Sequence, residues 1–221
     1  MGTDAAIMPY ISSANIACGY HAGDEDTIKR TIALCLRHGV AIGAHPGFAD
    51  KKNFGRTPVK LPLNELYDLF AEQVLLMKDI AEKMGGVLHH VKPHGAMYNM
   101  AATGKTYAQT LAKATKDIDS KLIFYGLSHS YMIEEATALQ LRTASEVFAD
   151  RTYREDRTLT PRNEYNALMT DTGKMADQAL YMVNEKSVRA VTGKIIAVNA
   201  DTICIHGDGA HADIFAREIF E

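Results

Sequence analysis

Short apolar runs and helix-period stripes alternate along the whole chain. Residues 12–17 read as an extended run. Asp24 follows where an N-cap is needed, and Ile28, Ile32, Cys35 and Leu36 recur at the spacing of one helical face until Gly39 stops the stripe. Residues 40–44 then read as a short buried strand. Over 63–84, Leu66, Phe70, Val74, Met77 and Ala81 mark a long helix ending at Gly85-Gly86, so the apolar run 87–91 is again extended. Strands are predicted at 122–126, 144–148 and 202–206, and helices at 106–118, 130–139, 174–184 and 210–220. Residues 188–198 are ambiguous, with a small hairpin around Thr192-Gly193 as one reading. Met77, Tyr67 and Tyr181, at helical positions, read as core filler.

Strands that alternate with helices indicate βα units and parallel pairing. Periodicity does not separate a closed parallel barrel from an open doubly wound sheet, but both place functional residues at the carboxyl ends of the strands. With 221 residues, 47% of them hydrophobic, the chain suffices for one sizeable core, and a single domain over 1–221 is expected. Its 24 basic and 27 acidic residues form no long run of either sign, which gives no electrostatic reason to expect nucleic acid or an anionic membrane as a partner. A small molecule fits better. No apolar stretch approaches the roughly 20 residues that span a bilayer, and the start lacks a secretory layout, so a cytoplasmic protein is expected. Cys18, Cys35 and Cys204 are odd in number and far apart, and they read as buried free thiols.

Chemistry-bearing residues collect at the expected strand-to-loop junctions. These read Asn15-Ile16-Ala17-Cys18-Gly19-Tyr20-His21-Ala22-Gly23-Asp24, then Gly43-Ala44-His45-Pro46-Gly47, then Val91-Lys92-Pro93-His94-Gly95-Ala96. The pattern returns as Glu146-Val147-Phe148-Ala149-Asp150-Arg151 and as Ile203-Cys204-Ile205-His206-Gly207-Asp208. One histidine at a strand end is more often a satisfied polar plug than a catalyst; four at equivalent places point to a site. His89, His90 and His211 lack the glycine-flanked setting and read as surface or packing residues. No GxxxxGK[ST] phosphate loop occurs.

The run 13–19, His21-Ala22-Gly23-Asp24, Gly43-Ala44-His45-Pro46, Lys92-Pro93-His94-Gly95-Ala96 and His206-Gly207-Asp208 resemble the LamB/YcsF family. Asn53-Phe54-Gly55-Arg56, Asp150-Arg151-Thr152-Tyr153 and Leu159-Thr160-Pro161-Arg162 extend the likeness over nearly the whole chain. The resemblance implies an α/β fold, a seven-stranded parallel (β/α) barrel related to the polysaccharide deacetylase superfamily. It also implies ATP-dependent opening of 5-oxoproline to glutamate, together with B and C subunits, with ATP bound by or shared with those partners. Members of the family begin with a strand of the type Asp-Leu-Asn-x-Asp-x-Gly-Glu. This sequence starts at Met1-Gly2-Thr3-Asp4, so the expectation is a barrel lacking its first strand, with exposed edges and weak or no activity.

On that reading His45 or His94 is the general base, and Lys92 stabilises an oxyanion or holds phosphate. His206 and Asp208 complete the catalytic set, while Asp24 and Asp150 orient imidazoles or bind the ring N–H. Arg56 and Arg151 are candidates to grip the substrate carboxylate, with Asn15 and His21 also placed at the substrate. Each has a plainer reading: Asp24 as a helix cap, Arg56 as a loop brace, Asp150-Arg151 as an ion pair. Two rival functions share the same residues. Histidines with nearby carboxylates suit a divalent metal, as in a metal-dependent deacetylase-like hydrolase. Alternatively the chain is a non-catalytic substrate-binding subunit of a larger complex. A homo-oligomer is compatible with all three.

Overall fold

The structure is a computed structural model that describes residues 4–207, 209 and 212–220. Its elements run α1 (Asp4–Ile7), a 3-10 turn (Met8–Tyr10), β1 (Ser13–Ala17), α2 (Glu25–His38), β2 (Ala41–His45), α3 (Leu63–Lys83), β3 (Leu88–Val91), α4 (Gly95–Thr103), α5 (Lys105–Ile118) and β4 (Ile123–Leu127). They continue α6 (Tyr131–Ala138), β5 (Arg142–Phe148), α7 (Thr172–Asn184), β6 (Ser187–Arg189), β7 (Ile195–Ala197), β8 (Thr202–Cys204) and α8 (Ala212–Phe220). The chain packs as two compact units: one of residues 12–126 and 130–144, the other of residues 1–11, 127–129 and 145–221.

In the larger unit β1, β2, β3 and β4 pair in parallel in that order. Local chemistry sets the ends of α2. Asp24 accepts from the Thr27 N–H at 2.8 Å, satisfying one of the amides that a helix start leaves orphaned, and Gly39 closes the other end at φ 68°. Ile28, Thr31, Ile32 and Cys35 are buried along one stripe, while Leu36, expected on it, lies at its edge and is 44% exposed. The long α3 buries Leu66, Phe70, Val74 and Met77 completely. Tyr67 lies half-buried and donates its hydroxyl to Asp117 at 2.9 Å. A helix unforeseen in the sequence, α4, begins directly after His94.

In the smaller unit the carboxyl half of β5 pairs in parallel with β8, in the register Glu146↔Thr202, Val147↔Ile203 and Phe148↔Cys204. The ambiguous segment is a hairpin: β6 and β7 pair antiparallel, and Gly193 at φ 91° supplies the left-handed turn position. Ala149, Met175, Ala179 and Phe215 form an apolar cluster. Tyr181 on α7 is 39% exposed rather than core filler. The strand expected over 202–206 ends at Cys204, which leaves Ile205 and His206 in the following loop. No described helix is long and apolar enough to cross a membrane.

Candidate functional site

Three neighbouring parallel strands of the larger unit each deliver a histidine at their carboxyl ends. His21 follows β1, His45 closes β2, and His94 follows β3 with Lys92 two places before it. Strand pairing brings them together: Ala17 lies opposite His45 and Ala44 opposite Val91, so one further step sets His45 beside Lys92. His45 Nδ1 lies 2.7 Å from the Lys92 carbonyl, and His45 Nε2 lies 3.0 Å from His94 Nδ1. His94 Nε2 in turn lies 2.7 Å from the Phe54 carbonyl. His21 stacks flat on His94, with centroids 3.9 Å apart and planes 5° from parallel.

The loop at 46–56 is shaped to admit those rings. A Cβ on Gly47 would sit 2.8 Å from His21 Nδ1, and one on Gly55 would sit 2.9 Å from His21 Cβ and 3.0 Å from His94 Cδ2. Buried Gln73 of α3 holds the Gly47 backbone from both sides, donating to its carbonyl at 2.9 Å and accepting from its N–H at 3.0 Å. The His94 N–H donates to the Pro46 carbonyl at 2.7 Å, and the Ala96 N–H donates to the Gly55 carbonyl at 3.0 Å. Backbone bonds thus fix the loop over the start of α4.

Burial keeps this cluster electrically neutral. It lowers His94 to about 3 and His21 to about 4, with Arg56 adding to the effect on both and His21 and Lys92 adding to it on His94. His45 is held well below the ordinary histidine range by burial first, then by His94, Lys92 and His21. His21 Nδ1 is buried without a hydrogen-bond partner. Lys92 is only 4% exposed, its ammonium 5.7 Å from the Tyr98 ring centroid. Arg56 lies over the Phe54 ring at 4.9 Å.

The smaller unit holds a second arrangement. Two steps past the last register pair of β5 and β8 stand Asp150 and His206, and His206 Nδ1 lies 2.7 Å from Asp150 Oδ2. An ionised carboxylate only accepts, so Nδ1 carries a hydrogen, and in the neutral ring Nε2 is the acceptor nitrogen. That nitrogen has no partner among the described residues. Asp150 Oδ1 is buried and unpartnered. Arg151 is buried and does not form the expected ion-pair brace: its Nε donates to the Ala167 carbonyl at 3.1 Å and its Nη2 to the Thr160 carbonyl. Burial lowers its pKa to about 10, and Arg162 adds to the effect.

Not every expected residue joins these groups. Asp24 is exposed and spends one carboxylate oxygen on the Thr27 amide and hydroxyl, which is the plainer role foreseen for it. Asn15 accepts from His90 Nε2 at 3.0 Å. His90 is wholly buried, stacked on Tyr125 at 4.1 Å, and packed so closely over Gly43 that a Cβ there would sit 2.0 Å from its ring; the glycine in the adjacent strand was the signal for this placement. His89 is exposed. Asp208 and His211 lie outside the described residues.

A divalent metal does not fit the cluster. The four ring nitrogens of His45 and His94 face each other or backbone carbonyls, so their lone pairs converge on no common point. Among the described residues no group of three or more His, Cys, Asp or Glu is placed to hold a metal ion.

Parallel βα units that present buried imidazoles, a buried lysine and an Asp–His pair at strand carboxyl ends define an α/β protein built to act on a small polar molecule. The chain belongs to the LamB/YcsF family, whose model matches residues 1–221. It is 51% identical over 219 residues to a protein of Tolumonas auensis named as the A subunit of 5-oxoprolinase, a match covering 99% of this chain and 87% of that one. A protein of the same name from Shouchella clausii is 50% identical, with the same coverage. A crystal structure of a lactam utilization protein from Thermus thermophilus matches with a TM-score of 0.92 at 39% identity, covering 100% of this chain and 88% of that one.

Proposed function

We propose that the chain is the A subunit of a cytoplasmic ATP-dependent 5-oxoprolinase, opening the cyclic amide of 5-oxo-L-proline to L-glutamate together with B and C subunits. Whole-length kinship to proteins of that name and to a lactam utilization protein supports the substrate class. We read the fold, as the family resemblance implies, as one domain of the seven-stranded (β/α) barrel type. The single observation that carries the chemistry is the Asp150–His206 pair, because a carboxylate fixes the ring through Nδ1 while Nε2 has no hydrogen-bond partner among the described residues.

A five-membered lactam has little ring strain, and amide resonance resists attack by water. Transfer of a phosphoryl group from ATP to the lactam oxygen removes that resonance and makes the ring carbon electrophilic. Water adds there and gives up a proton. The C–N bond then breaks as nitrogen takes one, which leaves an acyl phosphate, and a second water displaces the phosphate to give glutamate. His206 Nε2 is the proton acceptor on this reading. Lys92, with His21, His45 and His94 around it, is suited to hold negative charge. ATP is held by, or shared with, the partner subunits.

The test is a reconstitution. The chain is mixed with B and C subunits, ATP and 5-oxoproline, and ADP and glutamate are followed together. His206→Ala is expected to lower glutamate formation by about 10²- to 10⁴-fold. Glutamate formation at the wild-type rate in that variant would refute the assignment.

A further inference from the structure

The hydrogen bonds of the stacked cluster hold a mismatch that can be counted. From end to end the chain of contacts is Lys92 carbonyl, His45 Nδ1, His45 Nε2, His94 Nδ1, His94 Nε2, Phe54 carbonyl, with gaps of 2.7, 3.0 and 2.7 Å. A carbonyl oxygen only accepts, so both outer nitrogens need a hydrogen, and the contact between the rings needs a third. Two neutral imidazoles carry two hydrogens. With hydrogens on both outer nitrogens, two lone pairs face each other across 3.0 Å. Moving either one inward instead sets a nitrogen lone pair against a carbonyl oxygen at 2.7 Å. Every neutral arrangement leaves at least one repulsive contact, and the arrangement with one extra proton leaves none.

Burial and positive neighbours withhold that proton. The groups packed around the pair are His21 from the loop after β1, Lys92 from the end of β3, and Arg56 from the loop at 46–56, and each disfavours charge on one or both rings. Asp50, in that same loop, accepts from the Asn53 amide at 3.1 Å and from its side chain at 2.9 Å. The Cys18 thiol, at the end of β1, is pushed up to about 12 by burial and brings no charge. Tyr98 of α4 faces Lys92 with its ring. The pair thus has hydrogen-bonding geometry that wants a proton and an electrostatic setting that refuses it. Negative charge arriving beside Lys92 removes the refusal and leaves the geometry unchanged.

We propose that His45 and His94 act as a single one-proton acceptor, neutral while the site is empty and sharing one imidazolium proton when an anion enters beside Lys92. The anion, on the reading given under Proposed function, is the 5-oxoproline carboxylate or its phosphorylated form. His21 stays neutral throughout, because two charged rings cannot stack at 3.9 Å, so the cluster takes one charge and no more. By linkage, uptake of one proton on binding strengthens anion binding about tenfold per pH unit as pH falls, over the range where the pair is neutral when empty and charged when occupied.

The experiment is imidazole 15N NMR of the whole chain between pH 5 and pH 9, with no ligand, with 5-oxoproline, and with sulfate, neither of which titrates in that range. The expected result is that both rings stay neutral down to pH 5 without ligand, and that bound anion brings one joint step, in which both rings shift together, into the range. Two independent titrations, a joint step already present without ligand, or no step in the range with either anion bound would overturn the proposal. If sulfate moves the step and 5-oxoproline does not bind, the proposal stands and the substrate reading falls; if 5-oxoproline binds and leaves the step in place, the reverse holds. In His94→Asn the joint step is expected to vanish and the pH slope of 5-oxoproline binding to flatten, whereas an unchanged slope counts against the pair.

Discussion

Histidine is held in two ways in this molecule. In the larger unit, His45 and His94 are oriented by backbone carbonyls and by each other, among positive neighbours, so every nitrogen is engaged and the rings are neutral. In the smaller unit, His206 is oriented by a carboxylate through Nδ1, and Nε2 has no hydrogen-bond partner among the described residues. The first arrangement suits recognition of charge and the second suits transfer of a proton. Orientation by a neutral acceptor costs little but adds no counter-charge, while orientation by an acid supplies both.

The contrast predicts different kinetic signatures. After loss of the His206 ring itself, the largest effect is expected from Asp150→Asn, which removes the carboxylate that fixes the His206 tautomer: kcat for glutamate formation falls about 10²-fold with little change in KM. A loss confined to KM would assign His206 to binding instead. Next comes Lys92→Met, expected to cost about 10²-fold in kcat/KM for 5-oxoproline, read in the same reconstituted assay, because it removes the buried ammonium at the cluster. Gly47→Ala is smaller. Its Cβ would press on His21 Nδ1 at 2.8 Å and His94 Cβ at 3.2 Å, and a displacement of those rings by a few tenths of an ångström should raise KM about tenfold while leaving the His206 arm of the chemistry in place.

The smallest effect is on stability. His21, His90 and His94 have folded pKa values of about 4, 3 and 3, below the roughly 6.5 of an unfolded histidine, so the unfolded chain binds more protons between those limits. Their contribution is complete above about pH 6.5 and is lost as pH falls toward 4 and 3. Thermal melts at successive pH values should show Tm flat near neutrality and declining below about pH 6.5. His21→Gln should shallow that decline. An equally steep decline in the variant would remove His21 from the cause.

How much of this was readable in advance depended on range. Local rules were legible: Asp24 caps α2, Gly39 ends it, and the strand-end histidines after β1, β2 and β3 do meet. What required neighbours in space was not. His90, read as a surface or packing residue, does pack, but the glycine that admits its ring, Gly43, lies in the next strand. Helix α4 was hidden because Pro93 and Gly95 read as loop, whereas bonds from the His94 and Ala96 amides to Pro46 and Gly55 start it. Arg151 looked like a substrate clamp, but its donors go to two carbonyls that lie 9 and 16 residues further along the chain. Asp150 was expected to orient an imidazole or bind the ring N–H, and register with β8 shows which imidazole it meets, that of His206.

The thiols, set aside early as core residues, make the native protein its own gauge of opening. Cys18, Cys35 and Cys204 are all buried, and burial holds the Cys18 thiol near 12, so in the folded chain that sulfur offers almost no reactive thiolate. A chromogenic disulfide reagent at neutral pH should therefore label the protein only as fast as the fold around each strand lets go. Cys18 at the end of β1 and Cys204 at the end of β8 lie in different units, so the order in which they react ranks the two units by how readily each comes apart.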